Sequence, residues 1–447
     1  NPEVYCLALS PDGRTLLTSQ GGDAGLWEVA AKEPRRLRPG KSVADDPANG
    51  SVVSGRFSAD GRRVAIGTFG FQTPRDRWAI HVWDVGTGKE LQRATGEVCL
   101  GNAPPEFDRF LADYALSPDG ASLLTLANEP GEAKGGVPTT VQLISLWDVA
   151  TGRPLWRAEA EAAFRAAAFA PDGRLLGVAM ADRIVLVEAA SGKERARLKA
   201  PAQALAFAPD SRTLAAVEGS AVRLWDVGRG EALGLLSGHQ ARVEALAFAP
   251  DGKVLITGSA DSTALVWDMT RLVPQPRLAE LGPGQAEALW GDLASDDAGK
   301  AFRAVVALAA APKGAVALLK ERLKPVAAAD PRRVAKLIAD LDSDAYDVRE
   351  KAAAELESLA DQAADALRKA LKGSPSPEVR RSVEALLERQ GPSGRPAPEL
   401  LRQLRAVEVL EMLKTSEARQ VLEALSRGAA GARLTREARA TLDRLGR

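Results

Sequence analysis

Residues 243–252 have the sequence VEALAFAPDG, and the same segment ends at Val266-Trp267-Asp268, with the tryptophan sixteen residues after Asp251. Apolar residues alternate before the proline, which is typical of a strand with one buried face. Proline fixes φ, aspartate bonds to nearby backbone and glycine accepts a positive φ, so the Pro-Asp-Gly predicts a tight turn between antiparallel strands. The tryptophan supplies a large apolar side chain at the end of a third strand.

This pattern occurs six times in the first 270 residues, and the fourth copy has Val187 where the others have tryptophan. Repeats of about 40 residues with four short strands each predict the blades of a β-propeller. Six or seven blades fit the sequence, and the outer strand of the last blade comes either from upstream or from the segment 272–281. The other turns lie at Pro11-Asp12-Gly13, Ala59-Asp60-Gly61, Pro118-Asp119-Gly120, Pro171-Asp172-Gly173 and Pro209-Asp210-Ser211.

These copies resemble the WD-repeat propeller family. The sixth copy is also similar to the structural hydrogen-bond tetrad of that family, and the resemblance assigns the four roles to His239, Thr257, Asp261 and Trp267. The other copies lack the Gly-His pair that contains His239 in the sixth copy, so the resemblance implies looser blades there.

Beyond Asp268 the composition changes from β-branched residues to Ala, Leu, Arg and Glu, which are strong helix formers. Apolar residues recur at helical spacing, which predicts short amphipathic helices that must stack. Residues 344–356 and 376–381 resemble HEAT-type helices, and the tail as a whole is similar to regions behind propellers in large bacterial WD-repeat proteins. The predicted divisions are a propeller (1–270), a linker (271–284), a HEAT-like domain (285–390), a second linker (391–398) and a terminal helical unit (399–447).

Four insertions in the first three copies predict where a partner binds. They lie at Arg38–Ser51, Phe69–Trp78, Cys99–Asp108 and Asn128–Thr140, in connections that emerge on one face of the disk. Aromatic and arginine side chains dominate interface energies. The second insertion therefore supplies candidate partner-binding residues, with a hairpin tip packed on its own blade as the alternative; they are Phe69, Phe71, Arg75, Arg77 and Trp78.

Arginine pairs in the helical half supply a second candidate surface, at Arg332-Arg333 and Arg380-Arg381. Glutamates between them favour solvated helix faces with i, i+4 ion pairs. The alternative is a concave basic strip that binds an acidic partner or nucleic acid. The formal net charge of the chain is zero, with 59 basic and 59 acidic residues, so nucleic-acid binding is not expected.

The residues for catalysis or metal binding are few. The chain has two histidines, His81 and His239, and two isolated cysteines, Cys6 and Cys99, so neither a zinc site nor a disulfide framework is expected. The turn aspartates have structural roles in hairpins. We expect no catalytic residue, no cofactor and no metal.

The sequence therefore predicts a non-enzymatic scaffold that binds protein partners through the elaborated propeller face and the helical tail. Two alternatives stay open: a hydrolase or lyase with its site in the propeller channel, and a nucleic-acid or acidic-partner binder that uses the tail. No segment is apolar enough to span a membrane, and a cytoplasmic location is expected. The chain begins at Asn1 rather than methionine, so we expect its natural start to lie upstream.

Overall fold

The computed structural model describes residues 4–20, 23–29, 35–37, 51–70, 76–98, 111–134, 137–272, 278–282, 284–359, 361–373, 375–390 and 396–446. The chain divides into two compact units, Asn1–Pro274 and Gln275–Arg447. The first unit contains β-sheets, and the second contains α-helices.

Six antiparallel sheets follow one another along the first unit, and each is built from strands that are consecutive in sequence. The first sheet contains β1 (Val4–Leu9), β2 (Thr15–Gln20), β3 (Asp23–Glu28) and β4 (Arg35–Leu37). The second contains β5 (Ser51–Phe57), β6 (Arg63–Gly70), β7 (Asp76–Asp84) and β8 (Glu90–Val98). The third contains β9 (Leu111–Leu116), β10 (Ser122–Lys134), β11 (Val137–Asp148) and β12 (Pro154–Glu159).

The last three sheets are shorter. The fourth contains β13 (Phe164–Phe169), β14 (Leu175–Met180), β15 (Ile184–Glu188) and β16 (Glu194–Leu198). The fifth contains β17 (Leu205–Phe207), β18 (Thr213–Glu218), β19 (Ala221–Asp226) and β20 (Glu231–Ser237). The sixth contains β21 (Val243–Phe248), β22 (Val254–Ser259) and β23 (Ala264–Asp268).

The sheets pack face to face in chain order, and their first strands lie side by side from β1 to β21. Apolar side chains fill each interface between neighbouring sheets; between the fourth and fifth, for example, Leu186 and Leu198 pack with Leu214 and Trp225. The predicted β-propeller is thereby confirmed, with six blades.

The Pro-Asp-Gly turns also connect neighbouring blades. Gly252 has a φ of 70°, which strains any residue with a Cβ, and it lies beside the ring of Pro209 from the preceding turn. Gly173 packs in the same way against Pro118. The turn motif therefore fixes both the hairpin and the spacing between blades.

Among the described residues, the sixth sheet has three strands where the others have four. Leu272 packs into the core of this sheet, but Ala279 donates its N–H to the carbonyl of Ala310 in the helical unit. Within the described residues, the segment 272–281 therefore does not supply the fourth strand that the sequence allowed it to supply.

The second unit contains ten helices among its described residues. They are α1 (Gln285–Leu293), α2 (Ala298–Ala309), α3 (Pro312–Arg322), α4 (Pro331–Asp340), α5 (Tyr346–Leu359), α6 (Asp361–Lys372), α7 (Pro377–Gln390), α8 (Pro398–Leu413), α9 (Ser416–Ser426) and α10 (Arg433–Leu445). Prolines occupy the first position of α3, α4, α7 and α8, where the missing N–H costs no helical hydrogen bond. Asp330 and Thr415 cap α4 and α9 by accepting backbone N–H groups.

These helices form two separate cores. The first joins α1–α3 to α8–α10, with Leu293, Val305 and Leu319 packed against Val407 and Leu422. The second lies within α4–α7 and includes Val334, Leu356, Leu367 and Val383. The sequence predicted 399–447 as a terminal unit of its own, whereas these helices share the core of the first three. The HEAT resemblance of α4–α7 stays a prediction.

Candidate interaction surfaces

The four residues of the predicted tetrad meet in the sixth sheet. Trp267 donates its indole N–H to Thr257 at 2.9 Å, and the Thr257 hydroxyl lies 2.8 Å from His239 Nε2. His239 Nδ1 lies 3.3 Å from Asp261 Oδ2 and 3.0 Å from the Thr263 hydroxyl. With the imidazole proton on Nδ1, each group from the tryptophan to the aspartate donates a hydrogen bond to the next one.

Asp261 lies at the end of this series of hydrogen bonds. It accepts the Thr263 hydroxyl at 2.6 Å and the backbone N–H of Gln240 at 2.7 Å. These hydrogen bonds, the Thr263 hydroxyl first, hold the pKa of Asp261 well below its ordinary value. The carboxylate is therefore ionised and structural, and His239 is fully occupied rather than available for chemistry.

Half of this arrangement recurs in other blades. The indoles of Trp27 and Trp147 donate to Thr18 and Thr125, at 2.7 and 3.0 Å. In the second and fifth blades the position of this threonine is occupied by Ile66 and Ala216. The indole N–H groups of Trp83 and Trp225 accordingly find no acceptor among the described residues. This pairing was not predicted from the sequence. In three copies a threonine precedes the tryptophan, by nine, ten or twenty-two residues.

Thr257→Val keeps the shape of the side chain and removes the hydroxyl that contacts both His239 and Trp267. We expect it to lower the free energy of unfolding of the propeller by about 2–3 kcal/mol, because two buried polar groups lose their partner. Guanidinium unfolding followed by tryptophan fluorescence measures this unit, since seven of the eight tryptophans precede residue 275. Thr125→Val removes the acceptor of Trp147 and a long 3.5 Å donation to the carbonyl of Ser145, and no histidine is involved; it is the matched control and should cost about half as much. Equal losses in the two variants would contradict a tetrad acting as a unit.

One segment of the propeller matches a protein-family model. Residues 230–268 match the model described as "WD domain, G-beta repeat". The six-bladed propeller therefore contains a WD repeat. The matched segment runs from Gly230, just before β20, to Asp268 at the end of β23, so this repeat comprises the outer strand of one blade and the first three strands of the next. A search of curated proteins finds no match for the chain.

The propeller carries a long two-stranded arm on its third blade. β10 and β11 pair from Ser122↔Asp148 outward to Lys134↔Val137. Among the described residues, the pairing of β9 with β10 reaches as far as Ala127, and the pairing of β12 with β11 reaches as far as Leu143. The insertion predicted at Asn128–Thr140 is therefore a hairpin that continues the blade, and we call residues 128–141 the arm.

The second blade is lengthened in the same direction. The backbones of Phe69 and Trp78 pair, as do those of Gly70 and Arg77, and β8 pairs with β7 as far as Asp76↔Val98. The structure thus brings Phe69, Trp78 and Arg77 to one strand pair. Phe71 and Arg75 lie outside the described residues, as do most of the insertions at 38–51 and 99–108.

A charged contact links three inner strands of the disk. Arg56 on β5 binds Asp113 on β9 at 2.7 Å, and the second oxygen of Asp113 accepts the N–H of Ala167 on β13 at 2.9 Å. The Tyr114 hydroxyl accepts the Ser54 hydroxyl at 3.0 Å and the backbone N–H of Gly67 at 3.1 Å, both from the neighbouring blade. This contact was not predicted from the sequence.

The predicted arginine pairs do not come together. Arg333 at the start of α4 pairs with Glu355 near the end of α5, while Ser376 before α7 bonds to Asp342 after α4. The start of α7, which carries Arg380 and Arg381, therefore lies at the opposite end of the α4–α7 module. The described contacts show no continuous basic strip linking the two pairs.

The described residues contain no group of three or more His, Cys, Asp or Glu side chains placed to hold a metal ion. A cavity between the fifth and sixth blades, lined by Pro209, Phe248 and Met269, has a volume of about 130 Å³. Sites for small molecules are usually larger, about 300–1,000 Å³.

Among these same residues, no single helix meets the length and apolarity needed to cross a membrane. Only α2 and α3 taken together do so, as a pair bent by 115°.

Proposed function

We propose that this protein is a non-enzymatic scaffold that binds protein partners through the propeller face that carries the arm. The observation that carries the proposal is the arm itself: two paired strands that continue beyond the described pairing of the strands on either side of them. The arm follows the residues of this blade that are buried between blades, such as Leu124 and Leu126. Hairpins that extend from a rigid support are common binding elements.

The chemistry of the described residues supports binding rather than catalysis. His81 bonds to Glu90 at 2.7 Å across neighbouring strands, and His239 belongs to the tetrad. Asp12, Asp60 and Asp119 accept bonds from the serine two residues earlier and from turn backbone. These groups have structural partners, as expected of a scaffold that uses no cofactor. We further propose a reducing, cytoplasmic setting, which the two isolated cysteines favour.

Shortening the arm tests the proposal. A variant in which residues 128–141 are replaced by a two-residue turn should keep its fold, and it should lose partners captured by the intact chain from native lysate. Loss of at least tenfold in captured partner, measured by quantitative mass spectrometry, is the expected result.

The matched control keeps the arm and changes a compact hairpin instead. In this variant Gly219 and Ser220, which lie between β18 and β19, are replaced by Asn-Gly. This control should capture the same partners as the intact chain. If the arm-shortened variant retains every specific partner, the arm is not the docking element and the proposed face is wrong.

A further inference from the structure

A β-bulge recurs near the start of the inner strands, which lie around the centre of the disk. In five of the six sheets the register between the first and second strands skips one residue of the first strand. Each skipped residue lies seven positions before the aspartate of the following turn; they are Tyr5, Val53, Ala112, Arg165 and Glu244. A bulge changes the direction of a side chain relative to the regular strand, and bulges are frequent beside functional sites.

The repeated fold requires this bulge but does not determine which residue forms it. The residue before the bulge is apolar in all five strands, and Phe164 and Val243 pack in the cores between blades. The bulged residue, by contrast, is aromatic, aliphatic, basic or acidic in different blades. Its side chain is therefore not fixed by packing and is available for binding.

Arg165 is the bulged residue of the fourth blade, which adjoins the blade that carries the arm. Its side chain is exposed, and no described residue forms a hydrogen bond or an ion pair with its guanidinium. The neighbouring inner strand contains a carboxylate, Asp113, but both of its oxygens are engaged. One binds Arg56 at 2.7 Å and the other accepts the N–H of Ala167 at 2.9 Å.

Other arginines on the side of the disk that carries the arm are paired. These are arginines near the starts of first and third strands and the end of a fourth strand, where the chain turns on that side. The pairs are Arg183–Glu161, Arg197–Glu161, Arg223–Glu218 and Arg242–Glu244, at 2.8, 3.3, 2.6 and 2.7 Å. Arg165 thus offers a positive charge among neighbours whose charges are already neutralised, and a guanidinium binds a carboxylate through two parallel hydrogen bonds.

We propose that Arg165 binds the carboxylate of an aspartate or glutamate in a partner protein, at the centre of the disk on the side that carries the arm. Charge complementarity identifies the partner segment as acidic. The inference rests on the proposed scaffold function, and it adds the chemistry by which the partner is recognised.

The test selects ligands directly on the intact chain. Random twelve-residue peptides displayed on phage are selected on this chain and on two variants, Arg165→Gln and Arg165→Glu. Peptides selected by the intact chain should share an aspartate or glutamate at one consensus position, and Arg165→Gln should lose this preference. Arg165→Glu should select lysine or arginine there, because like charges across an interface repel and opposite charges attract. Arg62→Gln, which changes an exposed arginine in a turn on the opposite side, is the matched control and should keep the acidic consensus.

Fluorescence anisotropy with one synthetic consensus peptide measures the pair itself. We expect Arg165→Gln to weaken binding at least tenfold, and replacement of the acidic peptide residue by its amide to weaken it by a similar factor. The two changes together should weaken binding to within about threefold of either change alone, because they remove the same interaction. Unfolding midpoints followed by tryptophan fluorescence should be the same for the intact chain and each variant.

Three results would overturn the proposal: no acidic position in the selected peptides, an acidic consensus retained by Arg165→Gln, or losses that add fully when the two changes are combined. The arm-shortened variant separates this inference from the proposed function. Loss of lysate partners in that variant, with a consensus that ignores Arg165, would support the arm and refute the Arg165 site. Unchanged capture by that variant, with a consensus that depends on Arg165, would do the reverse.

Discussion

Replacement of Arg195 by methionine is expected to lower the free energy of unfolding of the propeller by about 3–5 kcal/mol, the largest effect of any single substitution considered for this unit. Arg195 and Glu188 form an ion pair at 2.8 Å, and only 2% of each side chain is exposed. Ser191 also donates to the Glu188 carboxylate. Without the guanidinium, Glu188 keeps a buried charge whose main partner is gone.

The measurement is guanidinium unfolding monitored by tryptophan fluorescence, and the informative control removes both charges. A Glu188→Leu, Arg195→Met double variant should recover most of the loss, because a buried pair replaced by apolar residues is often nearly neutral. If the double variant is as unstable as the single one, packing volume rather than the unpaired charge determines the loss. This pair lies in the blade where Val187 replaces tryptophan, and Glu188 takes the place of the aspartate found in four of the other five blades.

Replacement of Arg405 by methionine is expected to destabilise the helical unit by about 2–4 kcal/mol. Arg405 on α8 is 2% exposed and donates to the carbonyls of Leu293 and Ser295, at 2.7 and 2.9 Å. These carbonyls lie at the C-terminal end of α1, where helical carbonyls lack partners within the helix. The variant leaves them buried without their charged donor.

Circular dichroism at 222 nm measures this loss, because the helices lie in the second unit, while the tryptophan signal should show an unchanged transition for the propeller. Arg419→Met on α9 is the matched control, since Arg419 is half exposed and pairs with Glu423 at 3.4 Å on the same helix. It should cost less than about 0.5 kcal/mol. A similar loss in both variants would contradict the assigned role of Arg405.

Local turn chemistry made the propeller predictable. The Pro-Asp-Gly turn and the following tryptophan are short-range signals, and they repeat, so six copies could be counted from the sequence, although six or seven blades both fitted it. The tetrad was predictable for the same reason, since His239, Thr257, Asp261 and Trp267 lie within 29 residues of one another. The family resemblance supplied their roles, and the distances among them confirm the contacts.

The arm was harder to predict because its sequence contains the residues that usually interrupt strands. Pro130, Gly131 and Pro138 suggest a loop, yet the backbone pairs Pro130 with Thr140 and Gly131 with Thr139. A hairpin tolerates proline where one side of the strand carries no ladder of hydrogen bonds, and within the described residues the pairing with β9 ends at Ala127. Which helices pack against one another could not be predicted, for a different reason. An apolar stripe shows which face of a helix is buried, but not that Leu293 meets Val407 more than a hundred residues away.

The shared core of α1–α3 and α8–α10 has a consequence for biosynthesis. As the chain leaves the ribosome, α1–α3 emerge with Leu293, Val305 and Leu319 uncovered, and their packing partners follow only after α4–α7 have been made. Domains generally fold as units, and apolar surface left uncovered in the meantime promotes aggregation. The α4–α7 module has its own core and can fold before the packing partners of α1–α3 have been made. Within the helical unit, α1–α3 are therefore expected to depend more on a chaperone during synthesis than α4–α7.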